Sequence, residues 1–212
     1  MEIVWLGHSC FRIRGREATI VTDPCPPATG YVIGKPTADI VTISHHHSNH
    51  DYTKAVAGSP VVIDAPGEYE IHGAFITGVP TYHDDQKGGE RGRNLAFIIE
   101  IEDIRVCHLG DLGHTPTAEQ AEEMTGADVL LVPVGGGTTI DGAKAAEVVS
   151  LLEARLVIPM HYRTEALKEV LDPPDRFLKE MEVTSIEPLP KLSVSRSSIP
   201  SETQVVLLDY RR

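Results

Sequence analysis

Apolar positions alternate with polar ones in short runs through the first half of the chain, and recur at helical spacing only in the second half. Residues 3–6, 10–14 and 18–22 are rich in β-branched and aromatic side chains, and glycine or charged turns separate them. They predict an antiparallel meander. Residues 39–44 form a compact apolar strand that runs straight into a histidine cluster, and 60–64, 74–82 and 95–102 continue the pattern. Runs 94–102 and 104–109 flank Asp103 and predict a tight hairpin. Helices are predicted later. Residues 117–124 open on a capping-type Thr117, carry Glu119 in the first turn and stop at Gly126. Residues 141–154 place Ala143, Ala146, Val149 and Leu152 at three-residue spacing, a roughly amphipathic pattern. Residues 164–171 and 175–181 are shorter candidate helices split by Pro173 and Pro174, and 204–209 reads as a last strand. The continuous apolar runs 128–132 and 156–158 suit strands covered on both faces.

At 212 residues the chain supports one sizeable core, and neither an internal repeat nor a linker divides it. A single domain over 1–212 is expected. Hydrophobic content of 41% argues against disorder. The net charge of −12 weighs against nucleic acid as a partner, because phosphate backbones are repelled. Cys10, Cys25 and Cys107 are too few and too irregularly spaced for a disulfide framework, so three reduced, buried thiols are expected. The N-terminal stretch carries no signal-peptide pattern and no apolar run approaches bilayer-spanning length, so the expected location is cytoplasmic, with no membrane partner.

The chemistry is concentrated at strand ends. Ser44-His45-His46-His47-Ser48-Asn49-His50-Asp51 follows one strand, His83 a second, Asp111 a third and His161 a fourth, and Asp23 sits in Thr22-Asp23-Pro24. Neutral imidazole and carboxylate hold borderline divalent cations, and an open position on such an ion activates water. The set points to a metal-dependent hydrolase. Zinc is the first expectation, but no cysteine joins the set to favour it strongly, so manganese, nickel or iron also fit an N/O site. The glycine-rich segment 86–93 reads as a mobile surface loop, or as a lip from which Arg91 or Arg93 meets an anionic substrate. Glu68 lies in an expected turn that either is solvated or faces the pocket. Residues 134–138 read as a tight strand-to-helix turn with backbone donors for an anion.

These segments resemble the metallo-β-lactamase superfamily, whose mark is H-x-H-x-D-H. One register fits: His45, His47, Asn49 and His50. The resemblance implies an α/β fold, a four-layer αββα sandwich with two pseudo-equivalent halves, roughly 1–103 and 104–212. It implies that His45, His47 and His83 share one metal. His50, His161 and the residue at position 49 would share a second, Asp111 would bridge the two, and Asp23 would be structural. His8 and His114 are placed beside the pocket as candidate catalytic groups with Asp111, and His46 is expected to point away. Gly7-His8-Ser9, residues 110–114 and residues 158–162 resemble the branch containing L-ascorbate-6-phosphate lactonase. The departure is Asn49, where the family carries aspartate. A neutral amide is the poorer ligand, so the second metal is expected to be weak. Asp51 and Asp84 are the alternative carboxylates. The implied reaction is attack by a metal-bound hydroxide on an ester, lactone or phosphodiester bond of a small, anionic substrate, with one or two ions per chain. The rival expectation is a metal- or anion-binding protein with weak catalysis because of Asn49. Homo-oligomer formation stays open.

Overall fold

The computed structural model describes residues 1–210. Among these described residues thirteen strands form two sheets. The first sheet contains β1 (Glu2–Gly7), β2 (Cys10–Arg14), β3 (Thr19–Thr22), β4 (Ile40–Thr42), β5 (Val61–Ile63) and β12 (Leu192–Ser193), in the order β12-β1-β2-β3-β4-β5. The second contains β6 (Gly67–Ile71), β7 (Ala74–Tyr82), β8 (Arg93–Ile101), β9 (Ile104–His108), β10 (Val129–Pro133), β11 (Leu156–Met160) and β13 (Gln204–Val205), in the order β13-β11-β10-β9-β8-β7-β6. The expected meander is present: β1, β2 and β3 pair antiparallel in sequence order. The hairpin at Asp103 is present too, with Ile101 opposite Ile104 and positive φ at both Glu102 and Asp103.

Strand alternation divides the core. Ile3, Trp5, Phe11, Ile13, Ile20 and Ile40 face the large core between the sheets. Their neighbours Val4, Leu6, Cys10, Val21 and Val41 face a second, smaller cluster on the outer side of the first sheet. Side chains that alternate at period two and are buried on both faces demand cover on both faces. On the second sheet that cover is helical. Helices α1 (Ala118–Met124), α2 (Gly142–Leu152) and α3 (Asp175–Glu180) follow the expected positions. Thr117 and Gln120 form a reciprocal capping box on α1, and the Asp141 carboxylate accepts the Lys144 N–H at the start of α2. The buried stripe of α2 is Ala145, Val148, Val149 and Leu152, one face at i, i+3, i+4, i+7 and shifted from the three-residue spacing read in the sequence.

Over the first sheet the cover is loops and single 3₁₀ turns, at Pro27–Thr29 and Thr53–Ala55. Residues 164–171 belong to this cover and are not a helix. Their backbone is committed elsewhere: Lys168 donates to Thr29 O at 3.0 Å and Arg163 to Asp172 O at 2.9 Å. An isolated helix of that length is marginal in any case, and burying Leu167 and Leu171 under the first sheet decides the conformation.

Three further expectations change. Glu68 is in edge strand β6, opposite Thr77, and is exposed. The last strand is shorter than 204–209, because only Gln204 and Val205 pair with β11 before the chain crosses to a single bridge at Leu208. In the 134–138 turn, Gly135 N–H donates to His161 O and Gly136 N–H to Ile140 O, so these donors brace the fold and do not await an anion. All three cysteines are free and buried, and burial pushes the thiols of Cys25 and Cys107 up to about 11 and about 12. No helix among the described residues is long and apolar enough to cross a membrane.

Candidate metal centre

The strand ends converge on one carboxylate. Asp111 follows β9, and its Oδ2 lies 3.1 Å from His50 Nε2, 3.3 Å from His161 Nε2, 3.4 Å from His83 Nε2 and 3.9 Å from His45 Nε2. His45 and His50 follow β4, His83 follows β7 and His161 follows β11. The loop carrying Asp111 is held by Asn94. That buried amide accepts the Asp111 N–H at 3.0 Å and donates to Thr81 Oγ1 and Leu109 O. Gly110 turns the chain there at φ +56, and a Cβ on it would meet Asn94 Oδ1 and the Ser44 side chain at 2.5 Å. Ser9 Oγ approaches the other Asp111 oxygen at 3.4 Å.

Asp23 sets the tautomers. It is fully buried at φ +36 and accepts the Ser44 N–H at 2.7 Å, Ser44 Oγ–H at 2.6 Å and His50 Nδ1 at 3.0 Å. A carboxylate only accepts, so His50 is committed as a donor at Nδ1, and Nε2 is the nitrogen left to face a cation. The single hydroxyl proton of Ser44 goes to Asp23, so Ser44 Oγ accepts from His45 Nδ1 at 2.9 Å, and His45 Nε2 is likewise free. Carboxylate support of this kind orients metal-ligating histidines.

The electrostatics follow from burial opposed by charge. Burial alone raises the Asp111 carboxyl, but the surrounding imidazoles His161 and His50 pull it well below the usual carboxylate range. Burial lowers His45 to about 3 and His8 to about 4, which keeps both rings neutral with a lone pair to offer. Burial would also lower His50, but the charges of Asp111 and Asp23 reverse this and raise it to about 10, so without a metal its Nε2 also carries a proton, which a bound cation would displace.

The donor set fits a divalent cation. Buried His45 Nε2, His50 Nε2 and both ring nitrogens of His161 lack a hydrogen-bond partner, as does His8 Nδ1. An unpaired buried polar atom costs about 1–3 kcal/mol, and a cation satisfies several at once. The ligand atoms gather as His45–His47–His83 and as His8–His50–His161, each set within 4.8 Å.

Residues 2–161 match the beta-lactamase superfamily domain. The chain belongs to the metallo-β-lactamase superfamily. A UPF0173 protein of Pyrococcus furiosus is 31% identical over 206 residues, covering 86% of this chain and 91% of the relative. A UPF0173 metal-dependent hydrolase of Methanoculleus marisnigri is 31% identical over 189 residues, covering 77% and 82%. Among solved structures, a candidate Zn-dependent hydrolase of the metallo-β-lactamase superfamily from Thermotoga maritima is 44% identical, covers 99% of both chains and superposes with a TM-score of 0.82. The two-sheet α/β architecture is that of the superfamily, and the chain is a metal-dependent hydrolase of it.

Within this metallo-β-lactamase frame the sequence-derived residues separate. His45, His47 and His83 come together, as do His50 and His161 around Asp111. His46 is exposed and faces Asp51 and Asp64. Neither alternative carboxylate is available: Asp51 sits beside His46, and Asp84 accepts the N–H groups of Gln86, Gly88, Glu90 and Arg91. Those bonds hold Asp84 down at about 2, and they anchor the 86–93 loop; Arg91 pairs loosely with Glu90, and Arg93 begins β8. His114 has both ring nitrogens committed to backbone, Nε2 accepting from Tyr82 and Nδ1 donating to Thr115 O, so it braces the β7 end. His8 goes the other way and joins the histidine set directly. Asn49 donates to Glu169 Oε1 at 3.1 Å. Ser44, Asn94 and Glu169 escape the sequence reading, and of these only Ser44 carries a signal, its place directly before His45.

Proposed function

We propose that this chain hydrolyses an ester, lactone or phosphodiester bond of a small, anionic substrate in the cytoplasm, with zinc as the first-choice metal and manganese, nickel or iron as substitutes. The observation that carries the reading is the Asp111 carboxylate, with one oxygen 3.1–3.9 Å from four imidazole nitrogens. His45, His47, His83, His50, His161 and Asp111 would hold the metal, which when bound supplies a Lewis acid and a route to an activated water. The protein's own part is positioning. Asp23 and Ser44 keep His45 and His50 in the tautomer that offers Nε2. Asn94 fixes Asp111, whose low-lying carboxyl stays ionised as an acceptor for water at neutral pH. An acidic chain of net charge −12 favours a small substrate that meets charge locally at the metal over an extended nucleic acid.

The test is a panel on metal-stripped protein reloaded with zinc or manganese: a p-nitrophenyl ester, bis-p-nitrophenyl phosphate, and lactones with and without a phosphate group. Metal-dependent turnover of one class, abolished in Asp111→Asn, is expected. The contact of Asn49 with Glu169 favours the second reading, a metal-binding protein with weak catalysis. Tight metal uptake with no turnover on any class would select it.

A further inference from the structure

His8 occupies a position that packing alone does not explain. It adopts φ +55, a backbone state costly for a residue with a side chain, in the turn between β1 and β2. Its carbonyl accepts the Trp5 indole N–H at 2.9 Å and the His161 N–H at 3.3 Å, which holds the strain in place. Its ring is completely buried, edge-on to His50 at 4.7 Å and to His161 at 4.4 Å between centroids. Its Nδ1 has no hydrogen-bond partner. Strain held beside orphaned ring nitrogens points to a ligand.

Glu169 provides a second, independent observation. It comes from the irregular 163–172 segment, 120 residues from Asn49, and its two oxygens divide between Asn49 Nδ2 at 3.1 Å and His8 Nε2 at 3.7 Å, while Asn49 Nδ2 also lies 3.4 Å from His8 Nε2. The loss of aspartate at position 49 removes both a ligand atom and a negative charge from the second metal position. The ring of His8 offers the atom, and the carboxylate of Glu169 offers the charge. Asn49 is suited to this arrangement because its amide N–H holds the carboxylate, where an aspartate would repel it.

We propose that His8, and not residue 49, completes the second metal position with His50, His161 and Asp111, and that Glu169, clamped by Asn49, is the positioning carboxylate beside His8. This rests on the reading that the chain holds divalent metal at all. The experiment measures zinc and cobalt per chain by elemental analysis, and affinity by chelator competition, in wild type, His8→Asn, Asn49→Ala, Glu169→Gln and His47→Ala. Asparagine tolerates the positive φ at position 8, so His8→Asn spares the turn.

The expected result is two ions in wild type and one in His8→Asn. Glu169→Gln should keep two ions with second-ion affinity reduced about 10–100-fold, the usual effect of losing a supporting carboxylate. Asn49→Ala should behave like Glu169→Gln. Retention of both ions at wild-type affinity in His8→Asn, or a single wild-type ion lost in His47→Ala and kept in His8→Asn, overturns the proposal and leaves the metalloprotein reading intact. Absence of metal from wild type overturns that wider reading. Anomalous diffraction from the cobalt-loaded wild-type protein tests the assignment without any variant: a second ion in contact with His8 supports it, and a second ion not contacted by His8 refutes it.

Discussion

Asp23→Asn separates the orienting role of Asp23 from its bulk. The side chain keeps its size, and its Oδ1 still accepts the Ser44 N–H, a 2.7 Å bond in the native protein. The other end becomes an NH₂ facing Ser44 Oγ and His50 Nδ1, at 2.6 and 3.0 Å in the native protein. A donor cannot accept the His50 Nδ1 proton, so the neutral ring that a metal must bind would carry its proton on Nε2, where a lone pair is needed. Loss of such a supporting carboxylate lowers metal affinity by about 10–100-fold, or about 1.4–2.7 kcal/mol. Zinc competition against a chelator at pH 7.5 measures it. The metal-free protein gives a second readout. The folded pKa of His50, about 10, is raised above its ordinary 6.5, so its contribution to stability is full below about 6.5 and is lost as pH rises through about 10. The thermal midpoint of metal-free wild type should fall across that window, and Asp23→Asn should flatten the fall. Asp23→Ala breaks a buried ion pair, which costs about 3–5 kcal/mol, or about 6–20 °C for a chain of this size. Unchanged zinc affinity in Asp23→Asn would refute the tautomer reasoning.

Other substitutions test the supports around the centre. In Gly113→Ala the new methyl would meet the His83 carbonyl carbon and the Asp84 nitrogen at 2.3 and 2.4 Å. Overpacking of this kind costs about 1–3 kcal/mol, and the thermal midpoint should drop together with metal affinity at the His83 position. In Asp84→Ala four backbone N–H groups lose their acceptor, so hydrogen exchange should quicken across residues 86–91; in wild type the same loosening should appear only as pH falls from about 4 through about 2, because the lowered carboxyl protects the loop above that window. Asn49→Asp alone places a carboxylate where the Glu169 oxygen now sits 3.1 Å from the amide, so it should gain second-metal affinity only when combined with Glu169→Gln, as read by calorimetric titration of the single and double variants.

The candidate ligands are legible in the sequence because they cluster just beyond strands with a strong local pattern. Residues 39–44 are apolar until Ser44 and then turn to histidine, and the H-x-H spacing of His45 and His47 leaves few alternatives. The meander, the hairpin at Asp103 and the α1 cap are also local features, fixed by turn and capping chemistry within a few residues. What stays hidden depends on distance along the chain. Asn94 supports Asp111 from the neighbouring strand β8, and nothing around Asn94 in the sequence marks it out. His8 reads only as a candidate catalytic group because a lone histidine in a turn says nothing of the rings it will meet. Residues 164–171 carry helix-forming side chains, yet bonds to Thr29 and Asp172 outweigh that local preference. Positions 114 and 8 show the same limit in opposite directions: sequence places both histidines beside the pocket, but backbone contacts take up the nitrogens of one while burial leaves a nitrogen of the other unpaired.

Moving a carboxylate from the motif to the 163–172 segment changes what controls the second metal position. An aspartate at position 49 would adjoin His50 in the chain and move with it. Glu169 instead sits on backbone pinned at two points, by Lys168 N–H on Thr29 O and by Asp172 N–H on Gly135 O. Gly135 also donates to the carbonyl of His161, so the same turn that holds the carboxylate segment holds a metal-side histidine. A Cβ on Gly135 would come within 2.2 Å of that carbonyl, which is why the approach requires glycine there. The partly exposed Glu169 carboxylate, at 44% of its accessible surface, gives less electrostatic support to a cation than a buried one would, since water screens it. Occupancy of the second position therefore responds to ionic strength and to anything that contacts the 163–172 segment, whereas the other position has His45 and His83 buried just beyond the ends of β4 and β7.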